Sequence, residues 1–252
     1  MDLHLAGKTA AIVGGATGIG KAVCLTLAAE GVNIAVIDKN IEAAEATAKE
    51  IQAQSVKAVA VNVNLADFAS VSAAFGQVTA DLGQVEIMVF SDAVYGNYAA
   101  IKNLSVDQWN QEIAYTLSGA FYCAKLVGPT MKANKWGRLI FISNRAVTSG
   151  AYGQSAHIAS MAGLLGLAKT AALEYGRAGV TSNIVFPGLV DTPAYQAYPE
   201  GIKDELVGKG LMRRLQEPEE IAHTVAYLCS DYAKGITGAE IDVTMGAELF
   251  VY

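Results

Sequence analysis

Lys8-Thr9-Ala10-Ala11-Ile12-Val13 runs straight into Gly14-Gly15-Ala16-Thr17-Gly18-Ile19-Gly20, and the chain from Ile19 to Glu30 then takes a helical apolar period rich in alanine. A short apolar run closed by glycines and followed by a helical pattern reads as a buried strand turning directly into a helix. At such a junction Gly14 permits the tight turn, Gly18 lets the main chain approach a pyrophosphate, and Gly20 lets the helix sit against the strand. The helix N-terminus, Ile19 included, then faces the phosphates. A second strand, Asn33–Ile37, ends in Asp38. A carboxylate there accepts bonds from the adenosine ribose hydroxyls and repels a 2′-phosphate, so the spacing predicts NAD rather than NADP, a preference that Lys39 softens. A glycine turn alone also fits a helix cap with no ligand; strand, turn, helix, strand and acid in this order favour dinucleotide-binding ancestry.

The remainder alternates strand and helix. Helical Ile41–Gln54 leads to strand Val56–Val61, helical Asp67–Leu82 to strand Val85–Phe90, and helical Val106–Ala133 to strand Arg138–Ser143. A helix over about Gln154–Gly176, a strand Thr181–Phe186, a loop with helical parts to about Gly210, a helix Glu219–Ser230 and a strand Glu240–Val243 follow. Each β-α-β step implies a right-handed crossover and a parallel sheet. The expected fold is α/β: a Rossmann-like, doubly wound parallel sheet flanked by helices, formed by residues 1–252 as a single domain. With 52% apolar and 17% charged residues in 252, the chain can fill one large core.

A net charge of −6 without a lysine or arginine cluster argues against nucleic acid as a partner. Cys24, Cys123 and Cys229 are widely spaced in apolar helical contexts, as expected of buried thiols rather than disulfides or a metal site. No basic and apolar leader and no apolar stretch of about 20 residues is present, so a cytoplasmic protein with no membrane association is expected.

Order and motifs together resemble the short-chain dehydrogenase/reductase family over essentially the whole chain. The residues that carry this are the glycine turn, Asp38, Gly137-Arg138-Leu139-Ile140-Phe141-Ile142-Ser143, the helix with Ala159-Ser160, Ala162-Gly163 and Gly166-Leu167, Asn183-Ile184-Val185-Phe186-Pro187-Gly188, and Ile236-Thr237-Gly238. The resemblance implies hydride transfer between a nicotinamide and an alcohol or carbonyl, with the tyrosine of a Tyr-x-x-x-Lys helix as general acid/base. Positions four apart share a helical face, so the ammonium can lower the tyrosine pKa and hold the nicotinamide ribose. It also implies a serine 13 residues before the tyrosine and an asparagine on the preceding long helix.

Aligned on Ala159-Ser160, the tyrosine position is His157 and the lysine position Met161; the serine position is Asn144 and the asparagine position Thr116. Four changes together imply that the family chemistry has been abandoned or moved, and no residue is assigned a catalytic role with confidence. An imidazole is a competent acid/base and the Asn144 amide could donate to a carbonyl, but Met161 offers neither charge nor donor. Tyr95, Tyr98 and Tyr152 are loop hydroxyls that read more readily as binding or packing residues than as a relocated acid.

The cofactor half is altered as well. The resemblance implies Asn-Asn-Ala-Gly after the fourth strand, where Phe90-Ser91-Asp92-Ala93 stands. Asp92 near a pyrophosphate is repulsive unless it points into solvent or meets a cation. Asn62 replaces an adenine-contacting aspartate but keeps an acceptor. Pro187, Gly188 and Thr192, which flank the nicotinamide carboxamide in the family, are retained. NAD is therefore the cofactor expected if the cleft is occupied, with Asp92 as the obstacle.

Ala156–Leu173 is apolar nearly all round, and its small residues allow close helix-on-helix approach. The resemblance implies a dimer or tetramer built on that helix and the long one before it. The tail Ala247–Tyr252 reads as a second docking element or as packing on its own domain. Three functions fit. The first is a silent, pseudoenzyme subunit that completes a hetero-oligomeric NAD-dependent hydroxyacyl or alcohol dehydrogenase with a homologous active short-chain dehydrogenase subunit. The others are a repurposed oxidoreductase using His157 and a nucleotide-binding sensor.

Overall fold

The apolar runs become strands β1 (Thr9–Val13), β2 (Asn33–Asp38), β3 (Ala58–Asn62), β4 (Ile87–Phe90), β5 (Gly137–Ile142), β6 (Val180–Pro187) and β7 (Glu240–Val243). Between them lie helices α1 (Gly18–Ala29), α2 (Ile41–Gln52), α3 (Phe68–Leu82), α4 (Val106–Glu112), α5 (Gly119–Asn134), α6 (Ser155–Tyr175), the single turn α7 (Pro193–Gln196) and α8 (Pro218–Cys229). The computed structural model describes residues 2–94, 98–196, 201, 203, 207–208 and 211–247. All seven strands pair in parallel in the order β3-β2-β1-β4-β5-β6-β7. The chain reverses its direction of winding between β1 and β4, which opens a crevice at their carboxyl ends.

Both faces of the sheet are covered, and this explains runs that are apolar without alternation. Ala11, Val13, Ala35 and Ile37 pack on α3, α5 and α6, while Ala10, Ile12, Ile34 and Val36 pack on α1, α2 and α8. Helix starts carry their own signals: the Asn40 side chain accepts from the Ala43 N–H, Asp67 from Ala69, and Ser105 and Gln108 form a reciprocal capping box.

Two strand starts shift by two residues. β3 and β4 begin at Ala58 and Ile87 rather than Val56 and Val85, because pairing starts only at Ile34 with Ala58 and at Ala10 with Ile87. The helix expected over 106–133 is interrupted: Ile113–Ser118 is a π-helical segment between α4 and α5. One residue inserted into a helix widens it locally and re-aims the side chains on that turn.

The stretch Ser155–Ala178 is long and apolar enough to cross a membrane by length and composition. Its apolarity is largely that of a core helix laid on β6, with Met161, Leu164, Ala168 and Ala171 buried beneath it. A stripe on its other side stays open, comprising Ala162, Gly166, Thr170 and Leu173, the last 84% exposed. Beside it on α5 lies a parallel exposed stripe of Phe121, Lys125 and Pro129. Cys24, Cys123 and Cys229 are free and buried, and burial raises all three thiol pKa values.

At the first crossover a Cβ on Gly20 would overlap the carbonyl oxygen of Gly14. Gly20→Ala is therefore expected to lower unfolding free energy by about 1–3 kcal/mol, as overpacking does, despite alanine's better helix propensity. Chemical denaturation checks this; an unchanged midpoint would contradict it.

Candidate nucleotide cleft

The crevice between β1 and β4 is a cleft of about 340 Å³. Gly14, Gly18, Ile19 and Gly20 form one wall, as the spacing predicts. Gly14 holds φ +78° and sits so close beneath β4 that a Cβ there would lie 2.8 Å from the Ser91 carbonyl oxygen. Gly18 holds φ +53°, and its missing Cβ leaves room for Thr192, whose methyl carbon would be 3.1 Å away. Both positions need glycine for space as well as for backbone conformation.

Asp38 lines the cleft at the end of β2. Its carboxylate accepts from the backbone N–H of Ala16 at 3.1 Å and of Asn40 at 2.9 Å. Thr47 donates to the Ala16 carbonyl at 3.1 Å, so the same residue of the turn is fixed from two sides. Two bonds leave a carboxylate with unused lone pairs, and those of Asp38 can receive ribose hydroxyls. Asn62 sits one strand out, paired in register with Asp38, and does not line the cleft. Its amide donates to the Lys39 carbonyl at 3.0 Å, which leaves the side-chain oxygen as the group that could accept. Pro187 and Thr192 line the opposite end. Gly188 lies behind them, its N–H held by the Gln216 side chain at 2.8 Å and by the Val243 carbonyl at 2.9 Å.

Ile142, Ser143 and Met161 also line the cleft. Met161 is only 4% exposed and belongs to the core, so it does fill an apolar gap. The Ser143 hydroxyl donates to the Met161 carbonyl at 3.0 Å. His157 does not line the cleft. Its Nδ1 lies 3.2 Å from a carboxylate oxygen of Glu112, and the two residues are 9% and 1% exposed. The imidazole is thus paired with an acid from α4. Asn144 caps the turn that follows β5, its side-chain oxygen accepting from the Ala146 N–H at 2.9 Å. Thr116 is fully buried on the π-helical segment, and its hydroxyl has no hydrogen-bond partner among the described residues. The four positions singled out by sequence thus gather around one end of the sheet, but only Met161 faces the cleft.

Asp92 lines the cleft half-buried, and among the described residues it forms no direct ion pair with the cation expected from sequence. Its carboxylate accepts the Tyr115 hydroxyl at 2.8 Å. Burial pushes the Asp92 carboxyl pKa up; the Tyr115 bond opposes that rise, Asp38 adds to it, and Lys39 and the Ala93 N–H oppose it. Burial and the neighbouring Asp92 likewise push the Tyr115 hydroxyl up, which keeps it a donor. Lys39 lies 5.1 Å from the centre of the Tyr115 ring. Glu112 and Tyr115 are the two residues that the sequence reading missed. Glu112 stands four positions before Thr116 and so shares its helical face, and Tyr115 is its immediate neighbour.

Tyr152 is on the loop before α6 and 93% exposed, and Tyr98 is half exposed on the loop after β4. The two loops are tied by a bond from the Ala99 N–H to the Gly153 carbonyl at 2.9 Å. Tyr95 and the tail from Glu248 lie outside the described residues. Among the described residues no group of three His, Cys, Asp or Glu side chains is placed to hold a metal ion.

A family model described as enoyl-(acyl carrier protein) reductase matches residues 14–248, and the chain belongs to the short-chain dehydrogenase/reductase family of NAD(P)-linked oxidoreductases. The 3-oxoacyl-[acyl-carrier-protein] reductase FabG of Staphylococcus epidermidis is 33% identical over 240 residues, covering 95% of this chain and 98% of its own. The (2S)-[(R)-hydroxy(phenyl)methyl]succinyl-CoA dehydrogenase subunit BbsD of Thauera aromatica is 32% identical over 243 residues, 96% of this chain and 97% of its own. Cyclohexanol dehydrogenase of an Acinetobacter strain is 34% identical over 233 residues, 92% of each chain. The crystal structure of gox2181 superimposes with a TM-score of 0.93 at 25% identity, over 99% of this chain and 98% of that one.

A carboxyl whose pKa is raised by folding favours the folded state at low pH, and that contribution is lost as pH rises through the folded-state pKa. Asp92→Asn keeps an acceptor for Tyr115 but cannot ionise. It should therefore be more stable than the natural chain near pH 8, with the difference narrowing toward pH 4, as read by denaturant midpoints at each pH. A difference independent of pH would show that Asp92 does not titrate as its surroundings require.

Proposed function

We propose that this chain is a catalytically silent member of its family, which completes a hetero-oligomeric NAD-dependent hydroxyacyl or alcohol dehydrogenase together with a homologous active subunit. The observation that carries the reading is the end of the cleft at Ile142, Ser143 and Met161. Among the described residues no charged group stands there, the Ser143 hydroxyl is spent on a backbone carbonyl, and the imidazole that replaces the family tyrosine is turned to Glu112. Such an end offers no group to hold a ribose by charge or to exchange a proton with a substrate.

The nucleotide half supports a retained NAD site in which the glycine turn cradles the diphosphate and Asp38 takes the adenosine ribose. Gly14 and Gly18 let the turn pack closely against Ser91, Asp92 and Thr192, which holds its backbone in place at the cleft wall. The relative from Thauera is itself named as a subunit of a dehydrogenase for a CoA thioester. This supports assigning the present chain to the non-catalytic position of an enzyme of that kind, a 2-(hydroxybenzyl)succinyl-CoA dehydrogenase, working in the cytoplasm. The adjoining stripes on α5 and α6, with Phe121, Pro129, Gly166 and Leu173 exposed, are the surface proposed to meet the active subunit. Burying such surface contributes roughly 25 cal/mol per Å² before the costs of association.

A second reading has one observation in its favour. A carboxylate on imidazole Nδ1 is the arrangement that orients a histidine base, and Glu112 supplies it. The absence of His157 from the cleft wall weighs against it.

Co-expression with an active relative carrying the intact Tyr-x-x-x-Lys helix should give a mixed complex by native mass spectrometry, and the relative alone should be less soluble or less active. Removing one partner of a buried hydrogen bond leaves the other unsatisfied at a cost of about 1–3 kcal/mol, so the informative change is His157→Gln, whose amide can still bond to Glu112. In the complex this variant should turn over within about twofold of the natural chain, whereas Tyr→Phe in the partner should cost about 10²–10⁴-fold. Homo-oligomers only, together with a fully active relative, would contradict the proposal.

A further inference from the structure

We propose that NAD binding in this cleft is accompanied by uptake of a proton, and that Asp92 is the residue that holds it. The inference rests on the cleft's being a nucleotide site, as proposed above. Asp92 backs directly onto the glycine turn: a Cβ placed on Gly14 would lie 2.9 Å from the Asp92 Cβ, and both residues line the same cavity. A diphosphate cradled by that turn therefore comes to rest beside this carboxyl.

The groups that act on Asp92 are few. Tyr115, on the π-helical segment, donates to it at 2.8 Å and can stabilise a carboxylate but cannot neutralise it. Asp38, from the end of β2, adds a second negative charge on the same cavity, and Cys123 of α5 is a buried neutral thiol. Among the described residues Lys39 is the cation that acts on the pair, and it sits over the Tyr115 ring rather than in a direct ion pair with Asp92. An incoming diphosphate would be a further anion in this partly desolvated space, where charges interact more strongly than in water. A protonated Asp92 removes that repulsion and places a hydroxyl donor on the nucleotide side of the cavity. Burial already holds the carboxyl above its ordinary range in the free protein, so binding needs only to extend a shift that folding has begun.

The sign follows from linkage. Because the bound state holds the proton more tightly than the free state, affinity rises as pH falls between the bound-state and free-state pKa values, by at most tenfold per pH unit, and levels off below both. The resulting specificity is unusual: the site would select its nucleotide by protonation of an acid in place of a fixed amide donor.

Isothermal titration of the full-length protein with NAD, in two buffers of different ionisation enthalpy from about pH 5.5 to about pH 8.5, counts the protons directly. The natural chain should take up a fraction of a proton that approaches one, with Kd weakening as pH rises. Asp92→Asn, which keeps its bond to Tyr115, should take up none, show a flat Kd, and bind more tightly than the natural chain at the alkaline end. His157 and Asp38 remain in the variant, so uptake that persists there belongs to another group and overturns the proposal, as does NAD binding by the natural chain without uptake. Binding by neither protein overturns this inference and the NAD-site reading together, while the hetero-oligomer is judged separately by its mass.

Discussion

Gly20 presses against the carbonyl of Gly14 with no room for a side chain, and that contact closes the first strand-to-helix crossover. It brings the start of α1 over the end of β1, where the backbone N–H groups of the first helical turn are unpaired. The same closure packs Gly14 under Ser91 and Asp92, and Gly18 against Thr192. Three separate parts of the chain therefore meet at one turn: the end of β1, the end of β4 and the segment after β6. The cleft exists because these backbones can approach, so its retention is a matter of sterics before it is one of ligand contacts. Asp38 extends this frame by accepting from Ala16 and Asn40, which ties the turn to the end of β2.

Around this frame two pairs of buried polar groups stand near the cleft. Glu112 and His157 form a buried pair between α4 and α6, and Tyr115 and Asp92 a second between the π-helical segment and the end of β4. Each pair places one member within four residues of Thr116. A buried carboxylate or imidazole is tolerated only when paired, and Glu112 and Asp92 each meet a partner across a helix interface, whereas the buried Thr116 hydroxyl has none among the described residues. The π-helical segment matters here because the extra residue aims this turn of helix at both α6 and β4. The proposed loss of chemistry is thus compatible with a well-packed core: Met161 fills space that a lysine stem would cross, and His157 satisfies Glu112.

Much of this was legible in sequence. The parallel sheet and its flanking helices followed from apolar runs alternating with helical patterns, and the glycine turn and Asp38 stand where spacing put them. Strand starts at Val56 and Val85 were not legible, since valines before a strand look like valines within it until the partner's register is known. The widened turn at Ile113–Ser118 left no trace because Ala114, Tyr115 and Leu117 keep the stretch apolar through the insertion. Asp92 was recognised as a charge in the wrong place, but its partner stands 23 residues away. Glu112 and His157 are 45 residues apart, a distance over which local patterns say nothing. The available clue was a shared helical face: an acid four residues before Thr116, in a segment that must turn that face inward, needs a partner.

The central claim is that this chain keeps a nucleotide fold without the family's proton chemistry. The most direct measurement is NADH consumption by the isolated protein, followed by absorbance against 3-oxoacyl thioesters, simple ketones and hydroxyacyl thioesters in the reverse direction. The account predicts turnover lower by about 10²–10⁴-fold than that of an active relative, as expected when a general acid/base is missing, and unchanged by His157→Gln. Turnover comparable to the relative's, abolished by His157→Gln, would contradict it and make His157 the working acid of a repurposed enzyme.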